Sequence, residues 1–386
     1  MIPYGRQQIT PADIEAVTAV LRSDFLTQGP MVPRFESAVA SRAGAPHAVA
    51  VNSATSALHV ACEALELGPG DELWTTPNTF VASANCGRYC GATIDFVDID
   101  PVTWNMDVDR LEFRLREAQR SGRLPKIVVP VHFGGQPTNQ EAIWALAQEF
   151  GFHVVEDASH AIGASRHGEP VGSCRWSDVT VFSFHPVKII TTTEGGMALT
   201  RSSELAARMA LLRTHGVTRD PSRFVGGPAG SWHYEQLALG WNYRMTDIQA
   251  ALGISQLQRL DGFVARRNQL AARYGEFLKN FPLRLPTVCP DNVSAFHLYV
   301  VRVADDEEPD LHRRVIEGMR SLDIGVNVHY MPVHLQPYYR GLGFKAGDFP
   351  EAEAHGRKAI TLPLYPDLTE GEQDRVIKSL GKLLGV

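Results

Sequence analysis

Seven short apolar runs recur between residues 47 and 200, and segments of helical periodicity separate several of them. The runs are HAVAV (47–51), ELWTT (72–76), TIDFVDI (93–99), KIVVPVHF (126–133), FHVVED (152–157), VTVFSF (179–184) and GMALT (196–200). They are rich in β-branched residues without strict apolar–polar alternation, the pattern of strands covered on both faces. Between them, 56–65, 108–119 and 139–150 repeat apolar residues at helical spacing. The pattern predicts an α/β chain whose large domain is a mainly parallel seven-stranded sheet sandwiched by helices.

The flanks add to this plan. Thr10-Pro11-Ala12-Asp13 has the chemistry of a helix start, and FLTQGP (25–30) breaks that helix. After GWNYRMTDIQAALG (240–253) a long helical pattern runs to about Lys279, and Pro282, Pro286 and Pro290 then punctuate the chain. HLYVVRV (297–303), a helix near 310–321, IGVNVHY (324–330) and a final helix then predict a smaller α/β domain. The expected division is 1–255 for the large domain, with its N-terminal segment near the active site, and 256–386 for the small one. No repeat or low-complexity tract interrupts either.

Composition narrows the partners. The 386 residues carry a net charge of −6, and the pI is near 6.2. That balance argues against a generic nucleic-acid or anionic-membrane binder, so an anionic ligand has to be held locally. The five cysteines are scattered; Cys86 and Cys90 have helix spacing, but no second Cys/His pair at finger-like spacing accompanies them. Reduced thiols and no metal are expected. No basic-then-apolar leader pattern opens the chain, and no apolar run approaches ~18 residues, so a soluble cytoplasmic protein is expected.

Four segments bear chemistry. Ligands of open α/β sheets collect beyond the carboxyl ends of strands. In VNSATSALHV (51–60), Thr55-Ser56 read as the opening of a helix whose free N–H groups suit a phosphate, or as a plain cap. In VVEDASHA, Asp157 ends a strand with His160 three residues on, as a helix cap or a buried ligand partner. Phe80, just after a strand, is placed to stack on a planar ring or to join the core. In SFHPVKIITTTEGG (183–196), Lys188 interrupts an apolar run. The chain has only seven lysines, and arginine supplies thirty of its 37 basic residues. Arginine serves equally as a surface charge but stays protonated and forms no imine. Burial would free the Lys188 amine as a nucleophile toward a carbonyl; the bland alternative is a snorkelling side chain. Lysine, acid, phosphate cup and ring-facing aromatic together describe a site for pyridoxal phosphate.

NSATSALH, EDASHAIG, SFHPVKIITTTEGGM, RTHGV and NYRMTDIQAALGISQL resemble the DegT/DnrJ/EryC1/StrS sugar aminotransferases, pyridoxal-phosphate enzymes of fold type I, from residue 2 to the C-terminus. More narrowly, IPYGRQ, FLTQGP, TPNTFVASANC, VHFGGQP and GVNVHYMPVHLQPYYR resemble the transaminases of pseudaminic acid biosynthesis. The resemblance implies transfer of the L-glutamate amino group to C4 of a UDP-linked 4-keto-6-deoxy-N-acetylhexosamine. It implies Lys188 as the lysine that binds the cofactor and moves the proton, and Asp157 as the partner of the pyridine nitrogen. Ser183, Thr55 and Ser56 match phosphate contacts, Phe80 the stacking aromatic, and His160 the residue near the ring oxygen. Asn242 matches an asparagine reaching the phosphate from a second subunit, which implies a homodimer with shared sites. Thr27, Gln28, His329 and Tyr330 lie in segments that the family uses around the sugar nucleotide.

Three rivals remain at this level. A sugar dehydratase of the same fold has histidine at the lysine position, and Lys188 counts against it. An aminotransferase for another UDP- or dTDP-linked 4-keto sugar shares all the chemistry. A non-catalytic nucleotide-binding α/β protein needs no reactive amine at all.

Overall fold

The computed structural model of the chain describes residues 1–227, 229–304 and 310–386. All seven apolar runs contribute to one sheet: β1 His47–Val51, β2 Glu72–Thr75, β3 Thr93–Phe96, β4 Ile127–Val129, β5 His153–Asp157, β6 Val179–Ser183 and β7 Gly196–Thr200. Their order is β1-β7-β6-β5-β4-β2-β3. Neighbours among β2 to β6 are parallel, whereas β7 runs antiparallel to both β1 and β6. Residues 184–195, between β6 and β7, contain no helix to carry the chain back to the other end of the sheet. A connection without a crossover turns the strand around. That reversal leaves Lys188 on the loop at the carboxyl end of β6, the same rim on which β1 and β5 end.

Alternate residues of the strands face opposite cores, and both are buried, as non-alternating apolar runs require. Val49, Val51, Val181 and Ala198 join one cluster with Ala57, Leu58 and Met209, on the helices Ala54–Ala64 and Ser203–Leu212. Ala50, Phe182, Met197 and Leu199 face the other way, onto Phe35 and Val39 of Met31–Ala43 and Ala250 of Asp247–Leu257. Trp74, Val97, Val128 and Val154 extend the second face under Leu111, Leu115, Ile143 and Leu146.

Gly196 marks where sheet and rim touch. It pairs with Val51 on one side and Ser183 on the other, and an added Cβ would run into the Ser53 carbonyl and the Ala54 nitrogen. Gly196→Ala is therefore expected to cost about 1–3 kcal/mol through overpacking, read as a lower urea midpoint at unchanged slope. An unchanged midpoint would mean that the Ser53–Ala54 turn can step aside.

The helical pattern that follows 240–253 and runs to about Lys279 is carried by Leu260–Leu278, after a separate helix, Asp247–Leu257, that starts inside the 240–253 segment. Arg259 at the break turns its guanidinium onto Asp13, 2.5 Å away. Asp13 does more than cap the first helix, Pro11–Leu21. Buried, it accepts the Thr10 N–H at 2.8 Å and the Ser255 hydroxyl at 2.7 Å, clamping that helix to Asp247–Leu257.

Beyond the large sheet, β8 Leu283–Arg284, β9 Tyr299–Val303 and β10 Ala359–Leu362 form a three-stranded antiparallel sheet. Its core gathers Leu270, Tyr274, Val301, Met319, Ile360 and Leu380, and Ile2 from the other end of the chain. Two readings of this part are corrected. The run 324–330 makes only isolated bridges, Ile2 to Ile324 and Asn327 to Thr361. Residues near the N-terminus capture it: the Gly325 N–H donates to the Ile2 carbonyl at 2.6 Å. The pattern also overlooked β8 and β10.

Candidate active site

At the carboxyl rim of β1, β5 and β6 lies a cavity of about 550 Å³. β1 delivers the chain to Ser53, whose hydroxyl accepts the Ser56 N–H at 3.1 Å and caps the helix Ala54–Ala64. The opening is thus two residues earlier than Thr55-Ser56 suggested. Ala54 and Thr55 then supply the first N–H groups of the helix, which have no intrahelical partner and line the cavity. Ser183, at the end of β6, lines the same corner. A helix N-terminus facing a hydroxyl is a ready anion cup.

Asp157 ends β5 and is buried. Its Oδ2 accepts the Ser83 hydroxyl at 2.6 Å and its Oδ1 the Ser159 N–H at 3.1 Å. Each oxygen keeps a further lone pair for a group in the cavity. Lys188 stands on the β6–β7 loop beside Ile189 and Ile190, both buried, with its own side chain partly open to the cavity. Burial pushes its amine down to about 8, while the Asp157 carboxylate pulls the other way. Desolvation outweighs the carboxylate, so a sizeable fraction of the amine is neutral near physiological pH.

The far wall comes from segments distant in sequence. Burial depresses His160 well below the usual imidazole range. Its Nδ1 accepts the Gly134 N–H at 3.3 Å. The neutral ring therefore carries its proton on Nε2 and donates it to the Tyr330 oxygen, 3.2 Å away. Burial raises the Tyr330 phenol, leaving its own O–H proton available to the cavity. His297 packs on His160, with ring centroids 4.5 Å apart. His297 is held in turn by Arg267, buried beneath it, which donates to the carbonyls of Phe296, His297 and Leu364. His329 pairs Nδ1 with the Thr361 hydroxyl at 2.7 Å, and burial pushes it down to about 3. Burial lowers all three imidazoles, His160, His297 and His329, so this wall is neutral.

Thr55, Phe80, Asp157, His160, Ser183, Lys188, His329 and Tyr330 thus share one cavity. Phe80 stands at its edge, 60% exposed. Ser56 does not reach it; its hydroxyl donates to Asn52 Oδ1 at 2.7 Å. Thr27, Gln28 and Asn242 are exposed and lie outside the cavity of their own chain. Thr27 bridges Thr246, and Asn242 bridges Thr214. Tyr4, Ser53, Glu194, His297 and Asn327 line the cavity without having been singled out from the sequence. Ser53 carried a signal, as the first hydroxyl after an apolar strand; His297, a polar residue heading HLYVVRV, carried a weaker one.

The residues fit pyridoxal phosphate: an anion cup, a desolvated amine, a buried carboxylate with spare lone pairs, and an exposed ring at the mouth. Comparison with known proteins agrees. Residues 7–381 match the DegT/DnrJ/EryC1/StrS aminotransferase family. The spore coat polysaccharide biosynthesis protein SpsC of Bacillus subtilis is 40% identical over 383 residues, 98% of this chain and 96% of that protein. The PLP-form structure of Spr1654 from Streptococcus pneumoniae, described as a sugar aminotransferase, superposes with a TM-score of 0.90 at 31% identity, covering 100% of this chain and 98% of that one. Helicobacter pylori PseC, an aminotransferase involved in pseudaminic acid biosynthesis, gives a TM-score of 0.90 at 30% identity, covering 100% and 99%.

Proposed function

We propose a specific reaction for a chain that belongs to the DegT/DnrJ/EryC1/StrS aminotransferase family and is a pyridoxal-phosphate-dependent sugar aminotransferase. The acceptor is a UDP-linked 4-keto-6-deoxy-N-acetylhexosamine, aminated at C4 with L-glutamate as donor. The product is UDP-4-amino-4,6-dideoxy-N-acetyl-β-L-altrosamine, for pseudaminic acid biosynthesis. The likeness to the H. pylori aminotransferase over the whole chain carries this choice of substrate.

Bound in the cavity, pyridoxal phosphate supplies the electron sink that acidifies the carbon–hydrogen bond beside the amine. The chain's residues divide the remaining work. The N–H groups of Ala54 and Thr55 and the Ser183 hydroxyl hold the phosphate. Asp157 keeps a proton on the pyridine nitrogen. The Lys188 amine takes the proton from Cα of the donor and, in the second half-reaction, returns one at C4 of the sugar. A single group serves as nucleophile, base and acid because its amine titrates near neutrality. His160 fixes the Tyr330 hydroxyl, whose free proton faces the reacting region, and Phe80 covers the ring from the mouth.

The Lys188 amine at about 8, rather than 10.5, sets a pH expectation. Only the neutral amine attacks a carbonyl. The rate at which cofactor-free chain captures pyridoxal phosphate should rise about tenfold per pH unit, then level off near 8. Stopped-flow absorbance reads this, and a rate still climbing beyond pH 10 would contradict it.

Asn242, Thr27 and Gln28 lie outside their own chain's cavity, which supports a homodimer in which a second copy presents Asn242 to the phosphate. Asn242→Asp would set a negative charge against that phosphate. Mixing inactive Lys188→Ala and Asn242→Asp chains by unfolding and refolding together should then recover about a quarter of wild-type activity, from the one intact site of each hybrid dimer. No recovery would place Asn242 elsewhere.

The substrate is tested by supplying glutamate and a panel of UDP- and dTDP-linked 4-keto sugars, with mass spectrometry of the products. Amination of a different sugar alone would discard the altrosamine assignment and leave the aminotransferase activity standing. The spore-coat polysaccharide relative makes such an alternative sugar the second reading.

A further inference from the structure

A group of ligand-type side chains stands apart from the cavity, on the helix that forms the anion cup. His59, Cys62 and Glu63 occupy positions three and four apart on Ala54–Ala64, so they share one face. The neighbouring helix Ala82–Tyr89 brings Cys86 and, at its C-cap, Cys90. One nitrogen of His59, a carboxylate oxygen of Glu63 and the Cys90 sulfur lie within 4.8 Å of one another. His59 Nε2 and Glu63 Oε1 are 3.5 Å apart. The Cys62 thiol is in contact with those of Cys86 and Cys90.

An ordinary packed core does not account for His59. The residue is 4% exposed, wedged against Trp241 and Tyr89 with ring centroids 4.4 and 5.3 Å away. Nδ1 bonds the Tyr243 hydroxyl at 3.2 Å, yet Nε2 is buried without a hydrogen-bond partner. The nearby thiols do not supply one: Cys90 directs its S–H to the Cys86 carbonyl and Cys86 to the Ser83 carbonyl. Nδ1 and the Tyr243 hydroxyl satisfy each other, while Nε2 faces Glu63 Oε1 at 3.5 Å, too long for a normal hydrogen bond, with the Cys90 sulfur close by. A buried ring nitrogen left without a hydrogen bond is costly unless something binds it.

We propose that His59 Nε2, the Glu63 carboxylate and the Cys90 thiolate form a binding site for one thiophilic divalent cation of the zinc class, with water completing the tetrahedron. The mixed nitrogen, oxygen and sulfur set suits zinc and disfavours magnesium and calcium, which take oxygen. Two anionic ligands balance the double charge, so the complex is neutral where it is buried. Tyr243 on Nδ1 is the outer partner that fixes the tautomer of a ligating histidine. The spacing escaped notice in the sequence because its halves lie on two helices, 59–63 and 86–90. Bound there, the ion would pin the cup-forming helix to the C-terminal end of the helix Ala82–Tyr89.

The test uses tag-free holoenzyme, stripped with chelator, dialysed and titrated with Co²⁺, then with competing Zn²⁺. The expected result is one Co²⁺ per chain, displaced by Zn²⁺, with visible ligand-field bands of tetrahedral cobalt at wavelengths beyond the cofactor's absorption. Cys90→Ser should abolish those bands and weaken binding by at least about 100-fold, the upper range for losing even an outer partner. Glu63→Gln, at a partly exposed position, should also weaken it and serves as the deciding variant if Cys90→Ser does not fold. Absence of stoichiometric tetrahedral cobalt in the wild-type chain, or undiminished binding in Glu63→Gln, would overturn the site. Neither readout depends on which sugar the enzyme aminates.

Discussion

Lys188→Ala is expected to abolish transamination, with a loss of at least ~10⁴-fold in kcat/KM. Proton transfer by a positioned side chain alone is worth about 10²–10⁴-fold, and the substitution also removes the covalent attachment point for the cofactor. The protein should fold normally, because removing a partly exposed amine from the rim leaves the packing of Ile189 and Ile190 in place. Lys188→Arg is the companion variant: it keeps a positive charge near Asp157 but offers no neutral amine, so it should be equally inactive. Purified wild type should be yellow with the lysine-bound cofactor, and both variants should lack that colour. Turnover or the same absorbance in either would remove Lys188 from its assigned role and with it the mechanism. Partial rescue of Lys188→Ala by a small external amine would show that the missing function is the proton carrier.

Asp157→Asn should reduce kcat by about 10²–10³-fold, the scale seen when one preorganised electrostatic partner is removed from a reacting group. At about 1.36 kcal/mol per decade, that is roughly 3–4 kcal/mol of lost transition-state stabilisation. Asparagine fills the same volume, and its single oxygen can still accept the Ser159 N–H; its NH2 then faces the Ser83 oxygen, whose own proton can turn to Thr79, so folding and cofactor occupancy should survive. What it cannot do is hold a positive charge on the pyridine nitrogen. Cofactor occupancy by absorbance and kcat by coupled assay separate the two effects. A variant within a few-fold of wild type would mean that Asp157 serves only to pin the Ser83 and Ser159 segments. Asp157→Ala should be worse in stability as well, since it leaves the buried Ser83 hydroxyl without the carboxylate acceptor.

Much of this was legible in the chain because strand ends carry the chemistry. Apolar runs located all seven strands and put Asp157 at the carboxyl end of one of them; Lys188 stood out by the scarcity of lysine and its apolar neighbours, and Ser183 entered only with the family resemblance. The orientation of β7 was not legible, since parallel and antiparallel buried strands share one hydrophobic pattern; the helix-free loop before it decides. The cup slid from Thr55-Ser56 to Ser53 because several consecutive hydroxyl residues are all good caps, and only the backbone chooses among them. The far wall was the hardest part. His297 and Asn327 lack local periodic signals, and their place depends on Arg267 and on residues near Ile2, far away in sequence. The metal-type cluster was hidden for the same reason. Thr27, Gln28 and Asn242 are the converse case, where motif resemblance pointed to residues that one chain does not bring to its own cavity.

The cavity lining runs from Tyr4 to Tyr330, and this has a consequence for how the protein is made. The large sheet can close once β7 has left the ribosome, yet the wall built from His297, His329 and Tyr330 is then still unsynthesised. At ordinary translation speeds the gap lasts on the order of ten seconds. Throughout it, Lys188 and Asp157 lack the wall of His297, His329 and Tyr330, so part of the desolvation that lowers the amine in the complete chain is expected to be missing. A nascent chain stalled at Pro290 should therefore remain colourless in pyridoxal phosphate, while one released at full length turns yellow. The layout of the chain makes cofactor capture a late event of biogenesis, and it protects a reactive lysine from stray aldehydes until its chamber is complete.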